Sequence, residues 1–338
     1  SEEHSAYMNW DYPEDKERIM KGVIPGGEKV IVLDEIHKYK EWRNTLKGLY
    51  DKNKSKTSFL VTGSARLDYY RRGGDSLVGR YYFYRLHPLS LYEIETSPSL
   101  SNLEQLLEFG GFPEMYLGKD KKEWKRWQKE RISGVVKDDL LSLEQVKEVS
   151  QIELLAHMLI SRIGSLLSIN SLREDLKASH EAVSRWVSIL ENVYYCYRIS
   201  PFGLEKIKAI KKDQKLYLWD WSPCENEGIR FENLVASNLL KFCHFHEDTQ
   251  GVKMELRFIR DKEKREIDFV VIKDDEPLFA VECKSGDRNL SKHIPYFAKR
   301  TKIPVFYQTH KGESWNILSE HRAEIIPFTK LCAEVLKV

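Results

Sequence analysis

Apolar residues along the chain fall into short runs and helical stripes. Val30-Ile31-Val32-Leu33 is a run of four apolar, mostly β-branched residues, and it reads as a fully buried strand. Trp42, Leu46, Leu49 and Tyr50 follow at i, i+4, i+7 and i+8, the period of a helix. Phe59-Leu60-Val61-Thr62 reads as a second strand. Strand, helix, strand of this length is a βαβ unit, so both strands should be parallel with their carboxyl ends side by side. Residues 1–27 are polar and turn-rich, and no strand is predicted before Val30. Residues 81–86 read as a third strand and residues 103–109 as a helix.

The middle of the chain changes period. Residues 148–162 make an amphipathic helix on Ile152, Leu155 and Leu159. Ser171 and Glu174 match a capping box that starts a short helix. A third helix over residues 180–191 turns Val183, Val187 and Leu190 inward, and residues 193–199 read as a strand. This order describes a winged helix-turn-helix. The outward positions of the third helix hold one firm cation, Arg185, so docking to neighbouring domains is as natural a use as reading DNA. Lys206, Lys208, Lys211, Lys212 and Lys215 read as a solvated linker or as a backbone-binding wing. Beyond them come a strand at residues 216–219, a helix over 227–243, and strands at 267–272 and 278–283 around an Asp274-Asp275-Glu276-Pro277 turn. A helix over 289–299 and a strand over 303–308 complete the pattern.

At 338 residues the chain exceeds what one core usually supports. The expected class is a multidomain α/β protein with boundaries 1–115, 116–203 and 204–338. The net charge of +2 gives no global pull on nucleic acid, so any such binding must come from local patches. Five scattered cysteines without a CxxC pair fit a reducing, cytoplasmic setting. Cys243-His244-Phe245-His246 lacks the second half of a metal site and reads as a helix end. No apolar run approaches about 18 residues, so no membrane span is expected.

The first candidate chemistry is the acidic pair Asp34-Glu35, which follows the buried strand at once. Carboxylates at the carboxyl edge of a parallel sheet face the crevice where ligands of such sheets bind. There Asp34 would hold Mg²⁺ through water, and Glu35 would polarise the water attacking a nucleotide γ-phosphate, as in a Walker B strand. Ser64 follows the next strand and would report the γ-phosphate as sensor 1. Arg80 is the first candidate for an arginine finger, with Arg71 and Arg72 behind it. A phosphate-binding loop, GxxxxGK[ST], is missing. The nearest stretch, Gly22-Val23-Ile24-Pro25-Gly26-Gly27-Glu28-Lys29, has its lysine one place late and leads into a strand. The sequence therefore reads as a fragment whose P-loop lay upstream. Residues 119–131 are basic, with Trp124 and Trp127 interleaved; a nucleic-acid grip is one reading, and a buried aromatic face ringed by solvated lysines is the favoured one.

The second candidate chemistry lies in the hairpin at residue 275. Symmetry about Asp275 would set Asp268 opposite Glu282 and Glu266 opposite Lys284, all on one face. Glu232, in the first turns of the preceding helix, joins them. Glu232, Asp268, Glu282 and Lys284 make the PD-(D/E)xK nuclease constellation: the carboxylates hold Mg²⁺ and Lys284 orients the attacking water. A degenerate version, with Asp268 and Lys284 merely paired, is the alternative.

Taken in order, Leu33-Asp34-Glu35-Ile36-His37-Lys38-Tyr39, Val61-Thr62-Gly63-Ser64-Ala65-Arg66-Leu67, Gly74-Asp75-Ser76-Leu77-Val78-Gly79-Arg80, Gly110-Gly111-Phe112-Pro113-Glu114, Leu216-Tyr217-Leu218-Trp219-Asp220-Trp221 and Val281-Glu282-Cys283-Lys284 resemble a prokaryotic family of AAA+-type ATPases with a C-terminal domain of uncharacterised function. The resemblance runs through nearly the whole chain. It implies an ATP- and Mg²⁺-dependent protein with a P-loop ahead of residue 1, a winged-helix middle and a nuclease-like end. Asp34 and Glu35 would then be Walker B and Ser64 sensor 1, while Asp268, Glu282 and Lys284 form the nuclease-like site. ATP, DNA, a protein partner or a second copy are the expected partners. A Mg²⁺-dependent nuclease under nucleotide control, and a protein-binding regulatory module with both acidic sites vestigial, are the alternatives.

Overall fold

The apolar run at residue 30 has a strand on each side. β1 (Ser5–Asn9), β2 (Val30–Asp34) and β3 (Ser58–Val61) form a parallel sheet in that order. The register runs from Ser5↔Val30 to Asn9↔Asp34, and from Val30↔Ser58 to Leu33↔Val61. The computed structural model describes residues 4–63, 77, 79–95, 97–134, 148–203, 214–284, 286 and 289–337. They fall into two units. One comprises Ser1–Tyr82, Ser133–Ile152 and Arg185–Tyr194; the other comprises Phe83–Ile132, Glu153–Ser184 and Tyr195–Val338.

β1 corrects the expectation that no strand precedes Val30. Only Ala6 and Met8 face inward in this five-residue strand, too little for an apolar period to show. Side-chain alternation gives the sheet two unlike faces. Met8, Ile31 and Leu33 join Ile19 of helix α1 (Pro13–Met20) and Trp42 and Leu46 of helix α2 (Trp42–Asn53) in one apolar core. Tyr7, Val30 and Leu60 on the opposite face are 56%, 37% and 52% exposed.

Residues 81–86, expected as a third strand, form no strand ladder. Arg85 donates to Asp248, His87 shares a 2.8 Å hydrogen bond with His244, and the Pro88 carbonyl accepts from Lys241 at 2.9 Å. These partners ride on one long helix, so the segment is a strap rather than a strand. Short helices α3 (Leu91–Ile94), α4 (Leu100–Phe109), α5 (Pro113–Gly118) and α6 (Lys121–Gly134) follow. On α6 the aromatics turn inward, as the favoured reading had it. Trp124 donates to Ser222 at 3.0 Å, and the Arg131 guanidinium lies over Phe112 and Trp127 at 4.5 and 5.3 Å. Lys122, Lys125 and Lys129 stay exposed.

Helices α7 (Val149–Ile160), α8 (Ile169–Leu176) and α9 (His180–Asn192) precede β4 (Cys196–Pro201). The cap of α8 is Ser168, whose hydroxyl accepts from the Ser171 N–H at 3.2 Å; the helix thus starts ahead of the predicted Ser171 box. β4 pairs antiparallel with β5 (Lys215–Leu218), and Leu166 bridges to Lys215. Helix α10 (Glu227–Gln250) then leads into β6 (Met254–Arg260), β7 (Glu266–Lys273), β8 (Glu276–Cys283), helix α11 (His293–Ala298), β9 (Phe306–His310), β10 (Asn316–Leu318), β11 (Ala323–Pro327) and helix α12 (Phe328–Glu334). Eight strands make one mixed sheet in the order β10-β11-β9-β8-β7-β6-β4-β5. Ile267, Val270 and Ala280 pack with Ile294, Phe297 and Phe306 in its core.

The hairpin tip differs from the prediction. Lys273 pairs with Glu276 around the two-residue turn Asp274-Asp275, and both turn residues have positive φ (49° and 68°). That backbone twist suits a two-residue hairpin. A register shift between Val271 and Ile272 then places one extra residue on β8, and Phe269 returns to its expected partner Val281. The turn was misjudged, but the bulge preserves the register at the candidate site.

Gly111 is packed closely on three sides. A Cβ there would lie 2.7 Å from the Trp221 ring, 2.8 Å from Pro88 and 2.9 Å from the Leu89 carbonyl. Gly111→Ala should lower stability by about 1–3 kcal/mol, read as a reduced thermal midpoint; an unchanged midpoint would contradict this packing.

Candidate functional site

The first acidic site forms where three parallel strands end. Asp34, the last residue of β2, sits opposite Asn9 and beside Thr62, the residue after β3. Its Oδ2 accepts from Tyr7 Oη and from Asn9 Nδ2 at 3.3 Å. Its Oδ1 accepts from Thr62 Oγ1 and from the Glu35 N–H at 3.1 Å. All four donors are neutral. Partial burial pushes the carboxyl up, but the Thr62, Tyr7 and Glu35 hydrogen bonds outweigh it and hold Asp34 below its usual range.

Glu35 takes a left-handed conformation, φ 55°, at the entry to the turn Ile36–Lys38. A non-glycine residue held there costs on the order of 1 kcal/mol or more. Its carboxylate lies 3.0 Å from Lys38 Nζ, which also contacts Asp11 at 2.6 Å. Glu35 is thus clamped by a neighbouring cation. Arg80 pairs with Asp51 of α2 at 3.3 Å. Ser64, Arg71 and Arg72 lie outside the described residues, and the hydroxyl found on Asp34 is that of Thr62. Tyr7, Asn9 and Thr62 were missed; a polar residue ending each strand was the available signal.

The second acidic site gathers Glu232 of α10, Glu266 and Asp268 of β7 and Glu282 of β8. A lysine stands among them. Lys215, first residue of β5, is 2% exposed. Its Nζ forms a short ion pair with Glu266 and lies 3.5 Å from Glu232 and 3.6 Å from Asp268. Tyr217, two residues on and so on the same strand face, donates to Glu232 at 2.8 Å. Asp268 also accepts the Cys283 N–H at 2.9 Å. Lys284 pairs with Glu282 at 2.8 Å, not with Asp268. Ser291 donates to the same Glu282 oxygen at 3.0 Å, while the buried Oε2 has no hydrogen-bond partner among the described residues. Gly164, at φ +71°, packs against Glu232, where a Cβ would come within 3.2 Å of the carboxylate.

These charges shift one another. Burial and then the Asp268 charge raise Glu232 to about 7, against the pull of Lys215. Burial and Asp268 likewise raise Glu282 to about 7, against Lys284. Burial pulls Lys215 down, but Glu232, Asp268 and Glu266 together hold it above its usual range, so it stays an ammonium.

A divalent metal does not fit this arrangement. Among the described residues, no three His, Cys, Asp or Glu side chains are placed to hold one. Lys215 Nζ already sits where Glu232 and Asp268 converge. A second positive charge about 4 Å away would be opposed by about 4 kcal/mol per unit charge at a surface-like dielectric. Sequence reasoning placed Lys215 in a lysine run read as a solvated linker or a backbone-binding wing; its place in phase with Tyr217, at the head of an apolar strand, was the overlooked signal. Cys243-His244-Phe245-His246 lies within α10, which runs on to Gln250 rather than ending there, and His244 shares a 2.8 Å hydrogen bond with His87. Arg185 of α9 pairs with Glu148 at 2.9 Å.

Residues 1–95 match a family model described as an AAA domain. Residues 100–226 match a domain of unknown function (DUF8612) and residues 227–331 another (DUF4143). An uncharacterised protein of Methanocaldococcus jannaschii is 25% identical over 339 residues, covering 89% of this chain and 74% of the relative. An uncharacterised protein of Haemophilus influenzae is 21% identical over 313 residues, covering 82% and 74%. No solved structure matches the chain. No helix among the described residues is long and apolar enough to cross a membrane.

Folding raises Glu232 and Glu282 from 4.5 to about 7, so the folded chain binds more protons than the unfolded one between those values. Stability should therefore fall as pH rises through that window. Thermal midpoints should be lower at about pH 8 than at about pH 5, and Glu282→Gln should narrow the difference. Carboxyl-carbon NMR that finds both glutamates titrating at their ordinary value would contradict the burial described.

Proposed function

We propose that residues 1–95 form part of a nucleotide-hydrolysing AAA-type module, with Asp34 as the carboxylate that meets the nucleotide's metal. One observation carries this reading: Asp34 stands at the carboxyl rim of the middle strand, held by hydroxyl and amide donors from all three strand ends. Neither oxygen of Asp34 is paired with a cation, so the water shell of a Mg²⁺ would exchange with one of its neutral donors. Bound Mg²⁺–ATP supplies the transferable γ-phosphoryl group and the charge that neutralises it.

The chain's own residues have separable tasks. Asp34 keeps its charge and orients water. Thr62 and Asn9 fix the Asp34 rotamer. Glu35 polarises the attacking water once its contact with Lys38 loosens, so Lys38 acts as a restraint. Ser64 senses the γ-phosphate, and Arg80 leaves Asp51 to contact it. The 338 residues contain no GxxxxGK[ST], so the phosphate loop comes from outside them. Among the described residues β3 pairs only with β2, and the Tyr7, Val30 and Leu60 face is open. A loop-bearing strand beside β3, with its helix over that face, would complete the sheet.

The remaining parts are read from element order. The α7, Leu166 bridge, α8, α9 and β4–β5 hairpin sequence supports a winged helix. The α10, β7–β8, α11, β9 sequence supports a nuclease-like fold. A DNA partner is proposed for these parts, with the exposed Lys122, Lys125 and Lys129 as its electrostatic support. We place the domain limits at 1–115, 116–203 and 204–338.

Calorimetry on the 338-residue chain should detect no micromolar ATP affinity. Joined to a strand–GxxxxGK[ST]–helix segment, the chain should hydrolyse ATP. Glu35→Gln should then lower kcat by at least about 100-fold, and Asp34→Ala should remove Mg²⁺-dependent nucleotide binding. Micromolar ATP binding without that segment, or hydrolysis indifferent to Glu35→Gln, would overturn the assignment.

A further inference from the structure

We infer that Lys215 is the resident cation of the second acidic site: its ammonium takes the place a divalent metal needs, and Glu232, Glu266 and Asp268 bind no Mg²⁺ or Mn²⁺ while it is there. This goes beyond the nucleotide reading and does not depend on it.

Placement carries the inference. Lys215 opens a strand whose next residues, Leu216, Tyr217 and Leu218, are buried, and its side chain is held inside the unit, 2% exposed. Ile199 opposite it and Leu166 bridged to it fix its backbone on both sides. The aliphatic stem ends with Nζ 5.7 Å over the Phe258 ring, a favourable seat for an ammonium. Three carboxylates from α10 and β7 then converge on that one nitrogen. Tyr217 holds Glu232 toward it, and the Cys283 N–H holds Asp268. Arg260 takes the other oxygen of Glu266 at 2.8 Å.

The chemistry distinguishes an ammonium from a metal. Mg²⁺ wants oxygens at about 2.0–2.1 Å in near-octahedral order, and it dehydrates reluctantly. An ammonium is held by longer ion-pair contacts, and Lys215 Nζ lies 3.5 Å from Glu232 and 3.6 Å from Asp268, beyond any metal–oxygen distance. Glu282, the remaining acid of the nuclease-like set, is turned to Lys284 and Ser291 instead. One cation is therefore built into the chain for each half of the acidic group: Lys215 for Glu232, Glu266 and Asp268, and Lys284 for Glu282. The second unit has the carboxylates of a metal nuclease, but they are neutralised from within. The ligand class that this site would accept on losing Lys215 is a hard divalent cation.

The test is metal-dependent thermal stabilisation of the whole chain, read as the Tm rise that Asp268→Asn removes in each background. In the wild type that rise should be zero with Mg²⁺ or Mn²⁺. In Lys215→Gln it should be roughly 5–10 °C at a metal concentration about 100 times the Kd. Lys215→Gln leaves three carboxylates together and could prevent folding. The double variant Lys215→Gln, Glu266→Gln keeps the site's net charge and should show the same gain. An Asp268-dependent rise in the wild type would overturn the inference. So would a folded variant lacking Lys215 that gains nothing from either metal.

Discussion

A single buried ammonium among three carboxylates fixes much of the second unit. Lys215 is on β5, Glu232 on α10, and Glu266 and Asp268 on β7, so one nitrogen ties an edge strand, the long helix and a central strand together. Removing one side of such a buried group commonly costs about 3–5 kcal/mol, because the uncompensated charge stays behind. The surroundings are built to the same end. Gly164 comes close enough to Glu232 that a side chain would intrude, and its φ of +71° suits glycine. The β7–β8 bulge restores the register that brings Asp268 to the Cys283 N–H.

The first unit handles acidity differently. Asp34 is surrounded by neutral donors, while the cation nearby, Lys38, is spent on Glu35 and Asp11. Neutral donors lower a carboxyl without cancelling its charge, so Asp34 stays an anion. Lys215 sets a full positive charge among Glu232, Glu266 and Asp268. Two acidic places that look alike in sequence thus differ in their counter-charge: neutral donors around Asp34, an ammonium among Glu232, Glu266 and Asp268.

Much of this was legible beforehand. The run at residue 30, the α2 stripe, the helices near 150, 170 and 180, and the pairing of Phe269 with Val281 all follow from period and β-branching. The misses have physical causes. β1 has only two inward apolar residues, so it leaves no periodic trace. Residues 81–86 alternate like a strand, but Arg85 is tied to Asp248 and Glu247 of α10 and the tyrosines stay exposed. The hairpin tip was misplaced because a bulge adds a residue that no local signal marks. Lys215 was hidden by its neighbours: five lysines in a short span suggest solvent, and only the in-phase Tyr217 hints that the last one turns inward. Thr62 was passed over for Ser64, the more familiar turn residue two places on.

The most direct measurement is an anomalous-scattering map from a crystal of the chain grown with Mn²⁺. The account predicts no manganese peak within coordination distance of Glu232, Glu266 or Asp268, with density for Lys215 Nζ among their oxygens. A manganese ion bound by Glu232 and Asp268, with Lys215 turned away, would contradict it.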